Sequence, residues 1–177
     1  MNYRNHLRRI FQSLNNKRNI IIFSRQRSTL SIHNTDFLND LSSSLPHLQL
    51  NTNKYDLYNH GKGESYHPLA PPSAILTPTS NEDIVQIIKL CNEYHIPLIP
   101  FGTGTSVEGH VSALNPNSIS LDMKEFKFID DCDSLQDQCI KVGAGVTRLE
   151  LNERLRHSGI QFMVDPGADA SIGGMVG

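Results

Sequence analysis

Two stretches of small residues, each running straight on from an apolar run, constrain this chain more than any other feature. The first is PFGTGTSVEGH, Pro100 to His110, entered from the apolar segment Pro97–Phe101. The second is DPGADASIGG, Asp165 to Gly174, entered from Ile160–Val164. A short apolar run bounded by glycine and proline reads as a strand. Glycine lets a backbone turn tightly or approach something closely, so each loop is either an ordinary turn or a nest of N–H groups for an oxyanion. Gly102 and Gly104 allow the approach, and Thr103, Thr105 and Ser106 add hydroxyl donors. Gly167, Gly173, Gly174 and the Ser171 hydroxyl repeat the pattern. Two such loops, each at a strand end, would clasp one pyrophosphate from two sides.

The familiar phosphate motifs do not account for the first loop. A Walker A loop ends in Gly-Lys-Ser/Thr, whereas Thr105-Ser106-Val107 has no lysine. The dinucleotide fingerprint requires glycine where Val107 stands, and Gly109 and the run to Pro116 disfavour the helix that should follow.

Elements alternate around these loops. Asn34–Leu45 reads as a short helix ended by Pro46, Asn51–His67 as a polar loop, and Pro68, Pro71 and Pro72 as a boundary. Ala74–Thr77 is a short strand. Ser80 with Asp83 forms an approximate capping box, opening a helix on Ile84, Ile87, Ile88 and Cys91 that runs to about Tyr94. Ser118–Leu121, Phe126–Ile129 and Cys139–Val142 read as strands. Thr147 with Glu150 makes a second capping box, for a helix ending at a left-handed cap on Gly159. The order predicts an α+β fold with a mixed sheet.

Charge divides the chain at residue 35. Residues 1–35 hold seven basic side chains (Arg4, Arg8, Arg9, Lys17, Arg18, Arg25, Arg27) and no acid, whereas the rest holds nine basic and eighteen acidic ones, a formal −9. Leu7, Ile10, Phe11 and Leu14 lie at helical spacing, with Arg8 and Arg9 off their stripe. An Arg-rich, acid-free amphipathic start has the composition of a mitochondrial transit peptide, here residues 1–30. The apolar run Asn19–Phe23 is far short of the roughly 20 residues that a membrane-spanning helix needs. The overall charge of −2 gives no reason to expect nucleic acid as a partner. Cys91, Cys132 and Cys139 form neither a disulfide framework nor a CxxC pair for zinc.

IPLIPFGTGTSVEGH, followed by GAGVTRLELNERLRHSGIQFMVDPGADASIGGM, resembles the FAD-linked D-lactate dehydrogenases. These are mitochondrial flavoproteins of the vanillyl-alcohol-oxidase superfamily, with a PCMH-type FAD-binding domain. The similarity begins faintly at HGKGESYH and extends to the last residue. The resemblance implies that Pro100, Phe101, Gly102, Thr103, Gly104, Thr105 and Ser106 wrap the FAD pyrophosphate by backbone contacts. It carries the second FAD segment onto Asp165, Pro166, Gly167, Ala168, Asp169, Ala170 and Ser171, with Gly173 and Gly174 just after. Some superfamily members attach FAD through a histidine in the first loop. Thr105 stands at that place, so non-covalent FAD is expected, with His110 the conceivable attachment site.

His110 stands where many relatives have glycine, and Gly63 where they usually have aspartate in an HG-x-D-E-S pattern. Relatives continue beyond the residue matching Gly177 into further FAD strands and a cap domain that supplies the base and metal-binding histidines. The resemblance therefore assigns this chain no catalytic residue and no metal ligand, and the PCMH-type domain is expected to be truncated at its C-terminal side. His60, His67, His95 and His157 have no acidic or nucleophilic partner at a telling sequence spacing. The expected organisation is a transit peptide over 1–30, a helix and loop over 31–67, and the FAD domain over 68–177. The reaction implied is oxidation of D-lactate to pyruvate, with the C2 hydride passing to flavin N5, the hydroxyl proton to a base, and electrons to cytochrome c. Another 2-hydroxy acid, glycolate or 2-hydroxyglutarate, is the alternative substrate, and a non-catalytic FAD-binding remnant the alternative in kind.

Residues 1–30 fused to a fluorescent reporter should carry it into mitochondria, because the translocase reads an Arg-rich, acid-free amphipathic start. A reporter left diffuse in the cytosol would refute the import reading.

Overall fold

Capping decides where the helices of this chain begin, and both capping boxes read from the sequence are formed. The computed structural model describes residues 35–130 and 139–177. The expected transit segment, residues 1–30, lies outside the described residues. Helix α1 covers Thr35–Ser44 and buries Phe37 and Leu41. Helix α2, Lys54–Gly61, falls where the sequence pattern predicts loop. Its N-cap is Asn53, whose side chain accepts the Tyr55 N–H at 2.9 Å, and it buries Leu57 and Gly61. Two buried residues four apart make no stripe, so periodicity misses a helix that its cap announces.

Strand β1, Ala74–Leu76, leads to helix α3, Asn81–Glu93. The Ser80 hydroxyl accepts the Asp83 N–H, while one Asp83 oxygen accepts from Thr79 N, the Thr79 hydroxyl and Ser80 N. The buried face of α3 is Ile87, Leu90 and Cys91; Ile88, expected on that stripe, is half exposed at 50%. The face that meets α1 and the sheet is set by Leu90 rather than by the longest apolar run.

Strands β2 (Leu98–Phe101) and β3 (Ile119–Asp122) complete a three-stranded sheet of order β1-β3-β2. Both pairings are parallel, with Leu76 beside Leu121, Ile99 beside Ser120 and Phe101 beside Asp122. The α+β class holds, but the expected mixed sheet does not: among the described residues, antiparallel pairing occurs only as isolated bridges. Phe126–Ile129 and Cys139–Val142 meet through one such bridge, Ile129 to Val142, rather than as strands. Helix α4 spans Arg148–Leu155, capped by Thr147 and Glu150. Gly159 takes a φ of 75° as expected of a left-handed residue, but it closes a turn beyond the helix end. Ile160–Val164 forms no strand. The Asn152 side chain of α4 accepts the Phe162 N–H and donates to the Phe162 carbonyl, taking the groups a neighbouring strand would have used. A short helix α5, Ile172–Val176, follows with Ser171 as its N-cap.

Strand alternation gives the sheet two unlike faces. Ala74, Leu76, Ile119 and Leu121 join Phe37, Leu41 and Leu45 of the α1 region and Ile87, Leu90 and Cys91 of α3 in the main core. Each of the larger of these side chains contributes about 1.5–3 kcal/mol by leaving water. The other face carries Ser120 and Asp122, both buried. A second cluster gathers Val146, Leu151 and Leu155.

Burial alone would raise the Asp83 carboxyl, but the Thr79 and Ser80 donors hold it down, from the ordinary 3.8 to about 2. A depressed folded value means stability present above the ordinary range and lost as pH falls from about 4 towards 2. Asp83→Asn should lower stability at neutral pH by about 1–2 kcal/mol and flatten that acid limb, as read by thermal unfolding across pH. An acid limb unchanged in the variant would show that Asp83 does not carry it.

Candidate functional site

Because β2 and β3 are parallel, their C-terminal ends lie at one edge, where open parallel sheets place their ligands. The Pro100–Ser106 stretch leaves β2 at that edge, and the Phe101 carbonyl accepts the Met123 N–H just past β3. Pro100 is exposed, and Phe101 is half-buried. Gly104 has a φ of 73°, the left-handed turn that glycine permits. Among the described residues, the N–H groups of Gly102, Thr103, Gly104, Thr105 and Ser106 find no protein acceptor. The Thr103 and Thr105 hydroxyls lie 3.4 Å apart. The Ser106 hydroxyl is engaged by His110 Nδ1 at 3.2 Å and by the Glu108 N–H at 3.3 Å. A run of five open donors on a glycine-bearing turn has the donor set of an oxyanion nest.

The second loop, Asp165–Ser171, spends its acids on its own backbone and on the start of α4. Asp165 accepts the Gly167 N–H at 3.1 Å, and Gly167 takes a φ of 79°. Asp169 accepts the Leu149 N–H at 3.1 Å. Pro166 is exposed, Ala168 half-buried, and Ala170 buried. The Gly173 N–H donates to the Ala144 carbonyl and the Gly174 N–H to the Ser171 hydroxyl, so close packing is what these two glycines offer. A Cβ on Gly173 would stand 2.8 Å from that of Ala144.

The two loops meet. A Cβ placed on Gly102 would lie 2.2 Å from the Ser171 hydroxyl oxygen, so the first loop reaches the second only because residue 102 has no side chain. The GAGV segment stands between the loops and the exit of β3. A Cβ on Gly143 would lie 2.2 Å from the Phe126 carbonyl, and one on Gly145 2.0 Å from that of Met123. Ile172 N donates to the Val146 carbonyl on the far side. Gly143 and Gly145 thus belong to the site's foundation; their alternate spacing in the sequence was the available signal. Arg148 is a further residue the pattern did not reveal. Its Nη2 lies 3.8 Å from Asp165, and its Nε is buried without a hydrogen-bond partner among the described residues.

The segment from His60 to His67 wraps the first loop. The His60 ring lies on the Phe101 ring with centroids 4.1 Å apart. A Cβ on Gly63 would touch Val111 at 3.2 Å, and one on Gly109 would stand 2.4 Å from the His67 ring. His60, which has no acidic partner at a telling sequence spacing, gains one in the fold. Its Nε2 lies 3.2 Å from Asp122 Oδ2, a pairing across 62 residues that only the sheet creates. Burial alone would raise the Asp122 carboxyl; the His60 contact, the Lys124 N–H and the two neighbouring cations outweigh it and hold it below the ordinary value.

Gly102→Ala should cost about 1–3 kcal/mol, since the new methyl has nowhere to go. Ser171→Gly alone should cost little, because glycine is a tolerable N-cap. The double variant should recover most of the loss, and denaturant unfolding of all three measures the coupling. Strictly additive losses would mean that the loops do not touch at this point.

Comparison with known proteins fits this geometry. Residues 72–177 match the FAD binding domain family model. A probable mitochondrial D-lactate dehydrogenase of Danio rerio is 42% identical over 116 residues, 66% of this chain and 23% of that protein. The mitochondrial D-lactate dehydrogenase [cytochrome] of Arabidopsis thaliana is 39% identical over 128 residues, 71% of this chain and 22% of that one. The chain thus spans about a quarter of the length of the curated relatives it matches. Among solved structures, an alkyldihydroxyacetonephosphate synthase superposes with a TM-score of 0.70 at 24% identity, over 78% of this chain and 28% of that one, a likeness of fold. With open donors at the end of β2, a second loop meeting them, and a family match that covers both, the chain belongs to the FAD-binding domain family, of PCMH-type fold, and over that domain it is similar to mitochondrial D-lactate dehydrogenases.

Proposed function

We propose that this chain holds FAD non-covalently by its pyrophosphate, as the cofactor-binding part of a mitochondrial D-lactate dehydrogenase that passes electrons to cytochrome c. One observation carries the reading: five open N–H groups on the first loop, converging with the second loop where Gly102 meets Ser171. Gly102 to Ser106 donate to one side of the pyrophosphate. Asp165 to Ser171 close the other side, with Ala168, Asp169 and Ser171 offering N–H groups that have no protein acceptor among the described residues. Gly173 seats that second loop on the GAGV layer, and Gly174 donates to the Ser171 hydroxyl. Bound FAD supplies the hydride-accepting chemistry, which no amino-acid side chain provides.

The side chains at hand support non-covalent binding. Thr105 cannot form the histidyl link, and the His110 ring is engaged with Ser106. We assign this chain no catalytic base and no metal ligand. D-lactate and a cytochrome acceptor enter through the relatives' names, cytochrome c being the acceptor proposed, and the mitochondrial location through those names together with the acid-free, Arg-rich residues 1–35. No helix among the described residues is long and apolar enough to cross a membrane.

FAD should lose fluorescence on binding, and ADP, which shares the pyrophosphate, should displace it where AMP does not. Acid precipitation should release the flavin to the supernatant; colour kept in the pellet would overturn the non-covalent reading. The native flavoprotein purified from mitochondria should bleach with D-lactate and recover its colour with cytochrome c. Bleaching by glycolate or 2-hydroxyglutarate in place of D-lactate would reassign the substrate.

A further inference from the structure

The first loop stands over a His60–Asp122 contact that lies largely out of solvent. His60 sits on the last turn of α2 with its side chain only 12% exposed, and Asp122 at the end of β3 with its side chain 3% exposed. Both histidine nitrogens face acceptors. Nδ1 lies 2.9 Å from the Asp56 carbonyl oxygen, which can only accept, and Nε2 lies 3.2 Å from the Asp122 carboxylate. A neutral imidazole has one donor and would point a lone pair at one of these oxygens; the imidazolium donates to both. The charged groups around it are few. Asp122 comes from β3, and Lys124, 3.4 Å from the same Asp122 oxygen, from the turn beyond. On α2 itself the Asp56 carboxylate is occupied by the Asn51 side chain at 2.8 Å. β2 contributes the uncharged Phe101 ring, tilted 34° against the imidazole with centroids 4.1 Å apart.

Phe101 is the residue from which the nest departs. Its own carbonyl is tied to Met123, its register partner is Asp122, and its ring is the nearest neighbour of the Cβ that Gly104 lacks, 2.9 Å away. A ring held still under Gly104 fixes where the open N–H groups point. We propose that His60 is a positioning residue, acting as an imidazolium that bridges Asp56 and Asp122 and clamps Phe101, so that the Gly102–Ser106 donors are preorganised for phosphate. The clamp itself is a statement about the loop; its consequence for FAD rests on the function proposed above.

Hydrogen exchange of this chain separates the two. As pH rises from about 5 to 9, across the range in which imidazole discharges, the Met123 amide, which donates to the Phe101 carbonyl at the root of the loop, should lose protection by about tenfold beyond the intrinsic base-catalysed rise, the equivalent of one charge-assisted hydrogen bond. Amides of β1 and β3 should hold theirs. His60→Gln keeps a donor but cannot titrate, and Asp122→Asn removes the charge that demands a cation; each should flatten the Met123 pH profile. A wild-type profile retained in both variants would overturn the proposal, as would parallel loss in β1 and β3, which marks a merely structural pair. FAD affinity is the second readout. The same variants should weaken FAD binding near neutral pH by about tenfold, and affinity unchanged in His60→Gln would also overturn it. A Met123 amide whose exchange follows the expected profile, in a protein that binds no FAD at any pH, would sustain the clamp and remove the cofactor reading.

Discussion

The register that sets Phe101 beside Asp122 in a parallel pair is the constraint on which the site depends. Parallel pairing sends both strands out at one edge, so the chain leaving β2 and the chain leaving β3 begin as neighbours. A slip of one residue would turn Phe101 to the opposite face, away from His60, and bury Asp122 in the apolar core. The register is held on that core side by Leu76, Ile119 and Leu121, packed against α1 and α3. The hydrophobic layer thus fixes the polar one.

From that edge outward the structure is built by close backbone packing rather than by side chains. The turn after β3 lies on Gly143 and Gly145, Ala144 lies on Gly173, and Ser171 fills the space above Gly102. At each contact a methyl group would meet a carbonyl, a hydroxyl or another methyl well inside contact distance. Small residues here serve proximity, and within the two loops Gly104, Gly109 and Gly167 also take the left-handed backbone. Substituting one layer therefore displaces the next, because close-packed interiors transmit strain.

Local features were legible in the sequence and distant ones were not. Ser80 with Asp83 and Thr147 with Glu150 announce their helices because a capping box is complete within four residues. Both small-residue loops were found from composition, and the phosphate they suit from the resemblance. Helix α2 was missed because its buried side is only Leu57 and Gly61, and Ile160–Val164 was misread because an apolar run does not reveal what will satisfy its backbone. Asn152, eight residues before Ile160, answers that question only once α4 is folded. The His60–Asp122 pair lies further out of reach, since 62 residues and a strand pairing separate its members.

The weight placed on that pair follows from the charge the nest must meet. Neither Pro100–His110 nor Asp165–Gly174 contains a lysine or arginine. On the reading proposed above, a pyrophosphate would be met by the loops' own dipoles, N–H groups and hydroxyls, with the Arg148 guanidinium beside Asp165 as a neighbouring cation. The attraction of neutral donors depends on their being aimed before the ligand arrives. The acids of the second loop are turned to Gly167 and Leu149, which limits their repulsion of the phosphates. A nest of neutral donors gains little if each must be ordered on binding, at about 1–2 kcal/mol for every residue fixed. Rigidity has to come from beneath, and what lies beneath the first loop is a ring tilted against a buried cation, itself paired with a buried carboxylate. Removing either partner strands a charge in a place largely shielded from water. The pair is poorly replaceable for that reason, and holding the loop is the use this fold makes of it.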